Sequence, residues 1–236
     1  MDSIKTFPKF TILFLLLMAL EIAGLTVIPT FHMVSKAMIM ASLIGFYILI
    51  EKRQNNAFLT GLIFALLGDC FLLYETVELF VVGLICFLIM QLCYAGAFNS
   101  KRRIPKNKDY LICAGIIIIG VIILSFIWSD LGSMRTPIVL YTTSIVLMAL
   151  YAYLRHPRLR GYKIVVSGVF LFIISDSLLG INKFSNALPY GQILVMVTYM
   201  LAQYFIVTGE VLSNMPRPKV QHVPDPNVTF NRHKRK

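Results

Sequence analysis

The sequence predicts an all-α integral membrane protein, and three observations carry the prediction. First, 58% of the residues are hydrophobic, only 14% are charged, and the mean hydropathy is +0.77. Soluble domains carry about 25% charged residues. Second, the apolar runs are close to the roughly 20 residues that cross a bilayer core. Third, the basic residues gather between these runs. Because a bilayer offers open sheet edges no hydrogen-bond partner, the expected fold is a helix bundle.

Eight apolar runs define the predicted transmembrane helices. The first follows Lys5 and Lys9, but it exceeds the roughly 7–15 residues of a signal-peptide core, so we expect a retained helix. The eight together form a predicted transmembrane domain, residues 1–212. Residues 213–236 are basic and contain prolines, which predicts a disordered cytoplasmic tail. In chain order the predicted spans are 10–28, 31–50, 57–74, 77–98, 109–128, 137–154, 162–182 and 188–212.

The net charge of +11 indicates topology rather than nucleic-acid binding. Lysine and arginine crowd the alternate loops on one side, while the other side holds only Arg135 and Lys183. The positive-inside rule then places both termini in the cytoplasm, and we expect a bacterial inner-membrane protein. Zinc knuckles and basic stripes with stacking aromatic residues are absent from the sequence, so we expect no nucleic-acid partner. The oligomeric state stays open.

Metal and serine chemistry find no support in the residue pattern. The four cysteines lie in predicted spans and form no CxxC pair, which argues against a zinc site or a disulfide framework. His32 and His156 fall near loops, so the sequence predicts no histidine inside a span. This excludes a three-histidine zinc site and a Ser–His pair within the membrane. We expect no metal and no cofactor.

Two aspartates inside apolar runs are the main candidates for chemistry. Asp69 and Asp176 each follow a glycine by eight residues, Gly61 and Gly168 respectively. Placing a carboxylate in hydrocarbon costs roughly 3 kcal/mol on insertion scales. Two acids at the same spacing from a glycine therefore indicate that the protein uses them for its function.

Polar residues in the next helix strengthen the correspondence. Gln91 and Tyr94 follow the first aspartate, and Tyr199 and Gln203 follow the second. Helices 1–4 and 5–8 therefore form a weak internal repeat, predicted to be parallel because the copies start four helices apart.

Helix rise predicts that the ionisable residues share one layer. At about 1.5 Å per residue, Asp69 and Asp176 lie roughly 18 and 21 Å above the inner ends of their helices. Glu21 and Lys36 come out at similar depth and are expected to point inward and pair with the acids. The amide and phenol groups of helices 4 and 8 lie deeper. Purely structural roles stay open for all of these residues. Lys36 and Glu21 can extend toward the membrane interface, the two aspartates can form structural pairs, and the glutamines can form hydrogen bonds between helices.

The chain resembles the YhhN family of multi-pass membrane proteins, whose animal members are lysoplasmalogenases. The resemblance rests on the Leu-Gly-Asp run that ends at Asp69, on the placement of Lys36, and on the segments 80–87, 94–98, 171–179 and 198–203. Gln91 stands where the family pattern has histidine, and Ala37 stands where it has proline.

This resemblance implies hydrolysis of the vinyl ether bond of a lysoplasmalogen to a fatty aldehyde and a glycerophospho-alcohol. Such chemistry needs one carboxylic acid and one carboxylate around an oxocarbenium-like state, as in glycosidases. Asp69 and Asp176 are the predicted catalytic pair, with roles unassigned. Lys36, Glu21, Gln91, Tyr94, Tyr199 and Gln203 are the predicted substrate-binding residues. The expected partners are a lysophospholipid substrate and membrane lipid.

Two other classes of function compete with the enzyme. A transporter of a small amphiphile or cation would use the two aspartates as coupling sites, and the repeat favours it. A non-catalytic lipid-binding protein would use them structurally. Catalytic turnover by the pure protein separates the enzyme from both alternatives.

Overall fold

A computed structural model describes residues 2–27, 29–74, 76–185 and 187–215. Its regular elements within those residues are eight α-helices and a short 3-10 turn, Gly132–Met134, which confirms the all-α class. The predicted tail from residue 216 onward lies outside the described residues. The helices are α1 (Asp2–Thr26), α2 (Pro29–Ile50), α3 (Asn56–Phe71), α4 (Val77–Asn99), α5 (Asn107–Ile127), α6 (Arg135–Tyr153), α7 (Tyr162–Phe184) and α8 (Gly191–Asn214).

Helix α3 is shorter than the sequence predicts. Seven of the described helices are long and apolar enough to cross a membrane, and α3 has 16 residues. At about 1.5 Å per residue it extends roughly 24 Å, less than a core of about 30 Å. The predicted span 57–74 is wrong at its end because the N–H groups of Leu73 and Tyr74 donate to carbonyls three residues back and no longer follow the four-residue pattern of an α-helix. Asp69 therefore lies in the last turn of α3.

Consecutive helices form the tightest pairs, chiefly α3 with α4 and α7 with α8. The glycines that precede the two acids permit this packing. A Cβ on Gly61 would lie 2.7 Å from the Tyr94 ring, and a Cβ on Gly168 would lie 2.9 Å from the Ala202 carbonyl oxygen. The two halves thus use an equivalent glycine for an equivalent helix contact. Their relation by an axis along the membrane normal stays a prediction.

Charged side chains gather at one end of the bundle, which we call the basic end. The Glu210 carboxylate of α8 accepts hydrogen bonds from Arg155 at 2.7 Å and from Lys101 at 2.5 Å. Asn214 donates to Glu51 at 2.8 Å. Burial lowers the pKa of Lys101, and the neighbouring Glu210 carboxylate opposes that shift. Because these residues follow α2, α4 and α6 or end α8, the even-numbered helices all end here.

Aromatic rings fill the interior above the basic end. Tyr47, Phe58, Tyr94 and Phe98 form a continuous cluster in which the Phe58 and Tyr94 rings stack at 4.7 Å. The Arg155 guanidinium lies 4.9 Å from the centre of the Phe98 ring. The cluster separates the basic end from the polar residues near the opposite end of the bundle.

Candidate active site in the membrane

Asp69 is a buried acid held by a tyrosine from the other half of the chain. Its carboxyl group lies in the last turn of α3 and is 2% exposed. The Tyr199 hydroxyl of α8 donates to its Oδ2 atom at 2.7 Å. Lys36, Glu21 and His32 lie close enough for their charges to act on Asp69. Three members of the predicted four-residue layer, Glu21, Lys36 and Asp69, therefore lie near one another, and the place of Asp176 in that layer stays a prediction.

Glu21 pairs with a histidine rather than with a lysine or an aspartate. His32 Nδ1 lies 2.8 Å from one Glu21 oxygen, and the Ser35 hydroxyl donates to the other at 2.5 Å. The prediction that no histidine lies inside a span is wrong, because α2 begins at Pro29 and carries His32 in its first turn. Within the described residues, buried Lys36 makes neither a hydrogen bond nor an ion pair.

Asp176 occupies a separate group of polar side chains in the middle of the bundle. The Tyr141 hydroxyl of α6 donates to Asp176 Oδ2 at 2.6 Å, and the Gln91 amide of α4 donates to the same oxygen at 3.4 Å. The Ser144 hydroxyl donates to the Gln91 carbonyl oxygen and so turns the amide nitrogen toward the acid. Both contacts converge on Oδ2, which leaves Oδ1 as the oxygen that faces away from them.

A hydrogen bond between polar side chains joins α4 and α8, the two helices that each contribute a hydrogen-bond partner to one of the acids. Tyr94 of α4 donates to Gln203 Oε1 of α8 at 3.0 Å. Gln203 follows Tyr199 by one helical turn, and Gln91 precedes Tyr94 by about one turn, so each pair shares a helix face. Of the predicted substrate-binding residues, Gln91 and Tyr199 thus contact one acid each, and Tyr94 and Gln203 contact each other. Within the described part of the chain, the buried Gln203 Nε2 atom has no hydrogen-bond partner.

A cavity of about 70 Å³ opens beside Asp176 between α4, α5, α6 and α7. Asp176 and Tyr141 form part of its wall, and most of the rest is hydrocarbon, including Leu84, Ile127 and Ile173. Asp69 is not among its lining residues. The expectation that both carboxylates point into one pocket therefore stays a prediction.

Four polar residues around Glu21 and Asp176 were not predicted from the sequence as site residues. Tyr141 and Ser144 on α6, and His32 and Ser35 on α2, contact predicted site residues directly. The internal repeat could have indicated Tyr141, because α2 and α6 are the second helices of the two halves. Tyr141 lies six residues after the start of α6, and Lys36 lies seven residues after the start of α2. Among the described residues, no cluster of three histidine, cysteine or acidic side chains is arranged to hold a metal ion.

The eight described helices, seven of them long and apolar enough to cross a membrane, define a multi-pass membrane protein of the all-α class. The YhhN family model matches residues 31–210, and the chain belongs to that family.

Curated relatives agree with this assignment. The chain is 26% identical over 183 residues to Lysoplasmalogenase TMEM86A of Bos taurus, covering 73% of this chain and 72% of the relative. The same values hold for Lysoplasmalogenase TMEM86A of Homo sapiens. Lysoplasmalogenase TMEM86B of Homo sapiens is 28% identical over 159 residues, with 66% and 64% covered. No solved structure matches the chain. The chain is accordingly a membrane-embedded enzyme of the hydrolase class.

Proposed function

We propose that the protein hydrolyses the vinyl ether bond of a lysoplasmalogen-type lysophospholipid. The observation that carries the proposal is Asp176, a carboxyl group that borders an otherwise apolar cavity and keeps one oxygen away from its hydrogen-bond donors. The names of the relatives supply the substrate class. An apolar cavity with one acid suits a substrate whose reacting group is a carbon–carbon double bond next to an ether oxygen.

Asp176 acts as the proton donor in this mechanism, because it is the acid that reaches the cavity. Its Oδ1 proton passes to the alkene carbon that is not bonded to oxygen, and the electrons of the double bond form the new C–H bond. The resulting cation is shared between the other carbon and the ether oxygen. Tyr141 and Gln91 steady the carboxylate that remains on Asp176 through Oδ2.

Water then completes the reaction without any further co-reactant. A water molecule adds to the oxocarbenium carbon and loses a proton to a carboxylate, which restores the charge balance. The hemiacetal then breaks its bond to the glycerol oxygen: its hydroxyl group loses a proton and becomes the aldehyde carbonyl, and the glycerol oxygen gains a proton. One lysoplasmalogen and one water therefore give one fatty aldehyde and one glycerophospho-alcohol.

We assign Asp69 and the polar residues near it to binding the water molecule and the polar part of the substrate. Asp69 and its donor Tyr199 stabilise the developing positive charge and orient the water. A buried donor without a partner costs about 1–3 kcal/mol, so we assign Gln203 Nε2 to the water or the glycerol oxygen. Lys36, which no carboxylate neutralises within the described residues, is assigned to the phosphate.

Buried and aromatic side chains between the polar residues and the basic end disfavour the alternative of transport. Tyr94 and Gln203 are fully buried and hydrogen-bonded to each other, and the other rings of the aromatic cluster pack against Tyr94. A substrate that entered at the opposite end would meet this layer before the basic end. Counter-flow in liposomes that carry the purified protein would reveal transport directly.

The test is aldehyde release from a panel of lysolipids by the purified protein, measured by mass spectrometry. We expect release from the vinyl ether lysolipid and none from the matched ester or saturated ether. Asp176→Asn and Asp69→Asn should each lower the rate by about a hundredfold or more, the usual scale for a lost acid or base. Each should stay folded, since an amide costs less than a carboxylate in the membrane.

Two outcomes would contradict the proposal. Absence of aldehyde from every vinyl ether lysolipid would exclude the substrate class. A near-normal rate in either asparagine variant, with an unchanged elution profile in detergent, would exclude that aspartate from the chemistry.

A further inference from the structure

A groove on the surface of the bundle runs between α5 and α6, next to the cavity. Its volume is about 350 Å³. Its lining is hydrocarbon from both helices, except for two threonines, Thr142 and Thr143. It extends along α6 from Val139 to Leu150, which is roughly 16 Å at the rise of an α-helix.

The groove and the cavity share part of their walls. Gly120 of α5 and Thr142 and Val146 of α6 line both. A Cβ on Gly120 would lie 2.6 Å from Cγ2 of Val146, so α5 approaches α6 closely at this glycine. The constriction between the two spaces therefore consists of small side chains and one residue that has none.

The cavity alone is too small for a lipid chain. A single water needs about 10–15 Å³ of comparable volume, so about 70 Å³ holds a few carbon atoms beside Asp176. We propose that the single hydrocarbon chain of the substrate leaves the cavity past Gly120 and lies in the α5–α6 groove. The identity of this occupant rests on the proposed function. The groove is thus a chain-binding site, and Gly120, Thr142 and Val146 determine which chains pass.

The direction of the groove matches the orientation of a lipid in one leaflet. Asp176 lies eight residues before the end of α7, roughly 12 Å from the end of the bundle opposite the basic end. From Tyr141 the groove descends along α6 to Leu150, a further distance of roughly 13 Å. Half of a hydrocarbon core is about 15 Å thick. The two distances together, roughly 25 Å, exceed that half, so a lysolipid whose head group lies at the opposite end would point its chain along the groove and past the midplane.

Helix α5 lies at the edge of the bundle and buries few of its residues. Only three of its residues are fully buried: Asp109 near its start, Gly120 near its middle and Ile127 at its end. Its lipid-facing side carries exposed Ile118, Val121 and Ile122. A small outward movement at Gly120 would join groove and cavity while the two ends of α5 stay attached.

Photolabelling tests the site without requiring turnover. The probe is a saturated ether lysophospholipid with a diazirine at the end of its chain, bound to the wild-type protein in detergent. We expect labelled peptides from residues 117–124 or 139–150. Labels confined to other helices would overturn the proposal. Groove labelling by a protein that releases no aldehyde would support the groove and contradict the proposed function, so the two failures are distinguishable.

A matched pair of glycine variants tests the constriction. Gly120→Val places a branched side chain against Val146, whereas Gly115→Val makes the same change on α5 where an added Cβ meets nothing within 4 Å. Gly120→Val should lower hydrolysis of a long-chain substrate by roughly tenfold or more relative to that of an analogue whose chain ends before Gly120. Gly115→Val should match the wild type on both. Equal losses on long and short chains in a folded Gly120→Val protein would contradict the chain route.

Discussion

At the scale of single residues, the surroundings of the two acids explain what each residue type contributes. The family resemblance predicts a histidine at the position of Gln91, and the Gln91 amide forms hydrogen bonds with two neighbours at once. It accepts from Ser144 and donates to Asp176. An amide can position a carboxyl group but cannot carry a proton. We therefore expect Gln91 to position Asp176 and to take no part in the proposed proton transfer.

Tyr141 provides the sharpest residue-scale prediction. Its hydroxyl is the short donor to Asp176 Oδ2, at 2.6 Å. Tyr141→Phe removes that bond and keeps the ring. A hydrogen bond to a charged group is worth about 1.5–3 kcal/mol, so we expect kcat/KM for aldehyde release to fall by roughly tenfold or more.

The control for this variant is Tyr110→Phe, because Tyr110 is an exposed tyrosine on α5. It should retain the wild-type rate. An unchanged rate in Tyr141→Phe would show that the hydroxyl is dispensable to the acid, and would remove Tyr141 from the site.

At the scale of elements, one buried carboxylate at the basic end ties the later helices together. Glu210 of α8 bonds to Arg155, which follows α6, and to Lys101, which follows α4. Both Arg155 and Glu210 are fully buried. Removing one member of such a pair leaves the other charge buried without its partner, which is strongly destabilising.

We expect Glu210→Gln to lower the free energy of unfolding by about 3–5 kcal/mol. The measurement is thermal unfolding of the purified protein in detergent. Glu78→Gln is the matched control, since Glu78 is exposed in the first turn of α4, and it should leave the midpoint unchanged. The double change of Arg155→Met and Glu210→Leu should recover stability, because an apolar pair avoids the cost of burying charge. A Glu210→Gln midpoint equal to that of the wild type would mean that the pair contributes nothing to stability.

At the scale of the whole molecule, the distribution of charge predicts orientation. The basic residues and the ends of the even-numbered helices lie at one end of the bundle, and Asp69 lies near the other. The positive-inside rule then places the basic end in the cytoplasm. Substrate would enter from the leaflet on the other side of the membrane.

Cysteine labelling in intact cells tests this orientation with a matched pair. In a variant whose four native cysteines are replaced, Ser129→Cys lies in the exposed loop after α5 and Ser100→Cys lies at the exposed end of α4. An impermeant thiol reagent added outside should modify Ser129→Cys, and should modify Ser100→Cys only after the membrane is opened. The reverse pattern would invert the orientation and the proposed side of entry.

The sequence alone determined the class of fold, the existence of the eight helices and the candidate acids. These are local properties, because the cost of placing a residue in hydrocarbon depends on its own side chain and on the run that contains it. Asp69 and Asp176 stood out for that reason, and Gly61 and Gly168 were recognisable as close-packing positions because they precede the acids at equal spacing.

Only the tertiary structure decided which side chains meet. The partners of Glu21 and Asp176, namely His32 and Tyr141, come from neighbouring helices whose rotation and crossing no hydropathy pattern encodes. The early end of α3 depends on a turn of hydrogen bonds at Leu73 and Tyr74, and the groove beside Gly120 depends on how far α5 stands from α6. Such contacts arise from packing between segments that are distant in sequence, since each helix can form in the membrane without them.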